Sequence, residues 1–114
     1  MAKYNLIALT NALDGQDEAF NDWYSNVHLA DVLKLPGVVA AQRFRMSDTQ
    51  HRPGPFEYGY MAVYEIEIDD INRTLSELKA VSGTEKMPLS PALDPQRMVW
   101  ILEPITGRME RPKE

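Results

Sequence analysis

Cysteine is absent from this 114-residue chain, which excludes a disulfide framework, a thiolate zinc site, an iron–sulfur cluster and a cysteine nucleophile. Histidine is scarce: His28 and His51 are the two side chains that ordinarily titrate near neutrality. No run approaches the roughly 18 apolar residues of a membrane span, and Met1 to Leu9 lacks the apolar core of a secretory signal. A cytoplasmic protein with no membrane partner is therefore expected. Positive charge is also in deficit, with 12 Lys and Arg against 17 Asp and Glu and a net charge of −5, so a duplex phosphate backbone is repelled and nucleic acid is not expected as a partner. A glycine-rich phosphate loop, a GxSxG elbow and a histidine pair at metal spacing are all missing. Their absence argues against phosphoryl transfer, serine hydrolysis and a dedicated nicotinamide site. No metal and no cofactor are expected; a lone histidine can ligate haem, but no supporting motif accompanies it.

What is present, 44% hydrophobic and 25% charged residues, fits one soluble globular domain, read here as residues 1–107 followed by a charged tail, 108–114, expected to fray. Lys3–Asn11 has strand character and ends near the turn-prone Asp14-Gly15. A helix follows over Gln16–Leu35, with Asp14 as a cap, Asp17 and Glu18 in its first turn, and Pro36-Gly37 as its stop. On this helix Phe20, Trp23, Val27 and Ala30 form an inward stripe. Val38–Met46 reads as a second strand and Ser47–Pro55 as an exposed loop. Phe56–Ile66 alternates as a third strand, with Phe56, Tyr58, Tyr60, Ala62, Tyr64 and Ile66 on one face. Asp69 or Asp70 caps a second amphipathic helix carrying Ile71, Leu75, Leu78 and Val81 and ending at Ser82-Gly83. After a proline-rich passage, Met87–Pro95, the last strand is Gln96–Leu102. The order β-α-β, loop, β-α-β predicts an α+β, ferredoxin-like fold: four antiparallel strands with both helices on one face.

Two helices cover only one face of such a sheet, yet several strands are apolar on both parities. Ile7 and Leu9 oppose Leu6 and Ala8, and Met98 and Trp100 oppose Val99 and Ile101. The simplest cover for the second face is the same sheet of another copy, which predicts a two-fold homodimer.

Few residues are candidates for chemistry. His51 lies in the aperiodic loop Gln50-His51-Arg52-Pro53-Gly54-Pro55 and reads as a solvated residue. His28 is placed differently. On an unbroken helix at 100° per residue, with Phe20 as zero, Val27 falls near about −20°, Asp31 about +20°, Tyr24 about +40° and His28 about +80°. That puts His28 at the edge of the buried stripe, with Tyr24 one turn before it and Asp31 one turn after. An imidazole between a carboxylate and an apolar wall suits general acid–base work, with Asp31 orienting it and, when ionised, raising its pKa. The competing reading is a boundary histidine bonded to backbone or water. Trp23, Tyr24, Tyr58, Tyr60 and Tyr64 offer a stacking wall for a small aromatic or hydrophobic molecule, although aromatics of this kind also fill cores. Arg43 and Arg45 share a strand face, where Arg43 can meet a carboxylate or enolate.

The run Phe20-Asn21-Asp22-Trp23-Tyr24-Ser25-Asn26-Val27-His28-Leu29-Ala30-Asp31-Val32-Leu33-Lys34-Leu35-Pro36-Gly37, followed by VVAAQRF and later by Tyr64-Glu65-Ile66, resembles the EthD-like branch of the dimeric α+β barrel superfamily. Ala30 stands where many relatives have proline. The resemblance implies the dimeric barrel and a catalytic histidine at the helix end, which maps to His28. The wider superfamily includes cofactor-free polyketide cyclases, quinone-forming monooxygenases and muconolactone-type isomerases. The expectation is a cofactor-independent lyase, isomerase or cyclase for a small aromatic or polyketide-like compound. A non-catalytic or stress-response barrel holding a hydrophobic metabolite and a cofactor-free quinone-forming monooxygenase stand as the alternatives.

Overall fold

The computed structural model describes residues 1–113. Its elements are β1 (Ala2–Thr10), α1 (Asp17–Trp23), a π-helical turn (Tyr24–His28), α2 (Leu29–Leu33), β2 (Val38–Arg45), β3 (Tyr60–Ile68), α3 (Ile71–Val81) and β4 (Met98–Leu102). All strand pairs are antiparallel, in the order β2-β3-β1-β4, so the fold is the expected ferredoxin-like α+β sheet.

Local chemistry accounts for the element ends. Asp70 caps α3, its Oδ1 accepting from the Asn72 backbone N–H at 3.0 Å, which satisfies one of the amides left unpaired at a helix start. The first helical run ends at Leu33, two residues before the expected Leu35, and the Pro36-Gly37 turn then leads into β2. Gly37 has φ +80°, and a Cβ there would lie 2.8 Å from the Ile68 Cβ, so both conformation and space require glycine. Its carbonyl accepts from the Glu67 N–H at 2.8 Å, and the Pro36 carbonyl accepts from the Thr74 hydroxyl at 2.6 Å, tying the turn to β3 and α3.

Two sequence expectations are corrected. The third strand starts at Tyr60, so Phe56 and Tyr58 do not share its face. The cause is Asn11: its side chain accepts from the Gly59 N–H and donates to the Glu57 carbonyl, both at 2.8 Å, taking backbone groups that a strand ladder would use. The inward stripe of the first helix is also different. Phe20, Tyr24, Val32 and Leu35 are buried, whereas Val27 is 40% exposed. A π turn, closed by i→i+5 bonds, advances each residue through a smaller angle than an α turn. Over Tyr24–His28 this carries His28 into the stripe and Val27 out of it.

The core lies between the helices and the sheet face formed by Leu6, Ala8, Ala62, Tyr64, Ile66 and Ile68. Phe20 is fully buried there, worth about 1.5–3 kcal/mol in transfer from water. The opposite face pairs Ile7 with Val63 and Trp100, and Leu9 with Met61 and Met98. Nothing among the described residues covers it: Trp100 is 46% and Phe44 43% exposed. Past β4, residues 103–113 are exposed without helix or strand; the remaining residue of the tail expected to fray, Glu114, lies outside the described residues. Among the described residues no helix is long and apolar enough to cross a membrane.

Candidate functional site

A cavity of about 140 Å³ opens between the covered face of the sheet and the helices. Its lining is largely aliphatic, from Leu6, Ala8, Val32, Leu78 and Val99 among others, and its groups with chemistry include Thr10, Trp23, Tyr24, His28, Tyr64 and Arg97. The π turn places two of them: Tyr24 begins it and His28 ends it.

His28 is held by aromatic rings. Trp23 stacks on it at 4.7 Å between centroids and 29° from parallel, and Tyr24 meets it edge-on at 4.8 Å. Trp23 is itself anchored by its indole N–H, which donates to the Pro88 carbonyl at 3.1 Å. The Nδ1 of His28 is buried without a hydrogen-bond partner among the described residues, and so is Oδ2 of Asp31. Among the described residues no hydrogen bond joins the two; the nearer ionic partner of Asp31 is Lys34, at 3.9 Å.

Burial lowers the His28 pKa to about 4, against the raising effect of Asp31 and with smaller lowering contributions from Arg97 and Arg43. The expected upward shift is thus reversed, because removing the imidazolium from water outweighs the attraction of one carboxylate. The imidazole is neutral at physiological pH. The Tyr24 and Tyr64 hydroxyls are hydrogen-bonded at 3.1 Å, and burial raises the pKa of both, so they stay protonated. One bond uses one of two hydroxyl protons, leaving the other free to donate.

Of the residues singled out from the sequence, Trp23, Tyr24, His28 and Tyr64 therefore meet on one cavity. Arg43 lies outside it, donating to Ser25 Oγ at 2.8 Å and Asn21 Oδ1 at 2.9 Å, with its guanidinium 4.5 Å from the Tyr24 ring centre. Tyr60 is turned to Asp17, whose carboxylate accepts its hydroxyl at 2.6 Å, and this bond is the main reason its pKa is raised. Tyr58 is in the loop before β3, and His51 is exposed in its own loop. Arg97 and Thr10 were not anticipated. Thr10 ends β1 on its buried parity, a usable signal, while the position of Arg97 one residue before β4 carries none. No group of three or more His, Cys, Asp or Glu side chains gathers to hold a metal ion among the described residues.

No protein-family model matches the chain, and no curated protein matches its sequence. Solved structures do match its fold. HapK from Hahella chejuensis is 21% identical over 95% of this chain and 99% of its own, with a TM-score of 0.60. The heme-degrader MhuD from Mycobacterium tuberculosis, with two hemes bound in its active site, is 16% identical over 93% and 99%, with a TM-score of 0.62. An ethyl tert-butyl ether D (EthD) family protein from Bacillus halodurans is 18% identical over 90% and 99%, with a TM-score of 0.52. The chain has the fold of EthD-like and other dimeric α+β barrel proteins.

Proposed function

We propose that the chain is a cofactor-independent enzyme that moves a proton on a small single-ring compound, with His28 as the general acid–base. The observation that carries this reading is the buried, unpartnered Nδ1 of His28, a residue on the cavity wall. Leaving such an atom unpaired costs about 1–3 kcal/mol. A histidine kept for structure alone ordinarily bonds to the protein's own backbone or side chains, and Nδ1 of His28 bonds to neither among the described residues.

The chemistry follows from the pKa. A base whose conjugate acid titrates near 4 draws protons only from acidified positions, such as a C–H between two carbonyls. The enolate oxygen so formed accepts the free proton of the Tyr24–Tyr64 pair, an electrostatic contribution made strong by burial. Asp31 acts on the imidazole through its charge. Return of the proton to another atom gives an isomerase, attack of the enolate a cyclase, and loss of a leaving group a lyase.

Size favours one ring: an engineered cavity of about 150 Å³ takes up benzene, and this one measures about 140 Å³. A haem, as held by MhuD, does not fit that volume, although a neutral imidazole suits iron. A non-catalytic barrel holding a hydrophobic metabolite is the second reading, favoured by the aliphatic lining. We also infer a homodimer in which the open face, with Ile7, Phe44, Met61 and Trp100, packs on its copy.

Hydrogen–deuterium exchange at the acidic carbon of ethyl benzoylacetate, followed by NMR, tests the catalytic reading. Acceleration by the protein, lost about 10²- to 10⁴-fold in His28→Ala, is expected. Binding without acceleration makes the barrel a carrier instead.

A further inference from the structure

Arg97 contributes a cation to the cavity, yet it is exposed, so it stands at the rim and not in the aliphatic interior. None of the lining residues is acidic. Arg97 has no ion-pair partner among the described residues, and no side-chain hydrogen bond from it is formed there; the ion pair present is Lys34–Asp31. A free guanidinium on the wall of an apolar cavity is conspicuous in a chain of net charge −5, where acids outnumber bases. Its charge reaches inward: it adds a minor lowering contribution at His28, whose shift is mainly desolvation, and at Tyr24, whose pKa burial nonetheless raises. The other arginine near these rings, Arg43, is already engaged with Ser25 and Asn21. Arg97 is the unengaged one.

We propose that Arg97 is an anion anchor at the cavity mouth, and that the ligand is a single-ring compound bearing an acidic group, the ring among Trp23, Tyr24 and Tyr64 and the acid on the guanidinium. This rests on the reading of the cavity as the functional site. The division of the ligand follows from dimensions and chemistry. An interior of about 140 Å³ is filled by one ring, so a polar substituent emerges at the rim. A planar guanidinium there offers a carboxylate or enolate paired, charge-assisted hydrogen bonds. His28 does not compete for the anion, being neutral near pH 7.

Binding of benzoate, benzamide and benzylamine, measured by NMR titration of the full chain near pH 7, tests this. The unmodified protein is expected to bind benzoate about tenfold or more tightly than benzamide, the range of one charge-assisted bond. Arg97→Gln should abolish that preference while benzamide binding stays within about twofold, and Arg97→Glu should turn the preference toward benzylamine. Because Arg97 is exposed, both variants should fold, and unchanged amide spectra away from the cavity check this. Equal binding of benzoate and benzamide, or a benzoate preference that survives Arg97→Gln, overturns the anchor but leaves the cavity as a ring site. Binding of none of the three at millimolar concentration overturns both.

Discussion

Trp23 lies flat on His28, ring centroids 4.7 Å apart, and the pair is built from residues five apart across the start and end of a π turn. On an unbroken α-helix those two side chains would diverge. The wider turn aligns them, and the indole then shields the imidazole from water. This shielding is part of why His28 is neutral, and several measurable consequences depend on it.

Stability should depend on pH through His28. Its pKa falls from 6.5 in the unfolded chain to about 4 in the fold, so between these values the unfolded state binds more protons. Stability is therefore full above pH 6.5, declines as pH drops toward 4, and levels off below, with a total of about 3 kcal/mol from this group. Urea unfolding across that range should show the decline, and His28→Gln should flatten it. An equal decline in the variant would assign it to other groups.

Catalysis of proton exchange should follow the same group with the sign of a base. Neutral imidazole is the active form, so the rate rises with pH through about 4 and is flat from about 5 to 8. A titration near 6.5 instead would mean that the imidazole is solvated in the working enzyme. Asp31→Asn removes a carboxylate that raises the pKa, so the inflection should move further down.

Gly37→Ala should be costly despite adding one methyl group. A positive φ costs a residue with a side chain about 1–2 kcal/mol, and the new Cβ would sit 2.8 Å from that of Ile68. A total of about 2–4 kcal/mol, read as a lower urea midpoint, is expected. Gly15→Ala is the control: it has φ +75° but nothing within 4 Å, so it should show the conformational part alone.

Assembly should respond to Trp100→Asp. If the open sheet face is covered by a second copy, light scattering gives twice 13.0 kDa for the unmodified chain and 13.0 kDa for the variant. A monomer in both cases removes the homodimer.

Much of the architecture was legible in the sequence because it is written in short-range patterns. Alternation along Tyr60–Ile66, the cap at Asp70, the stop at Pro36-Gly37 and the apolar residues on both parities of β1 and β4 each depend on neighbours within a turn or a pleat, and the element order then selects the ferredoxin-like sheet. His28 was legible too, by scarcity and by the family-like run around it. Four things were not. The π turn has no residue signature, and it decided that His28 and not Val27 turns inward. The late start of β3 came from the side chain of Asn11, 48 residues away from Gly59 in sequence. The sign of the His28 pKa shift was a contest between a nearby carboxylate and desolvation, and only the packed aromatic wall of Trp23 and Tyr24 made desolvation the larger. Arg97 belongs with these: charge is read directly from sequence, but whether a charge faces a cavity or bulk water is decided by chain segments that meet only on folding.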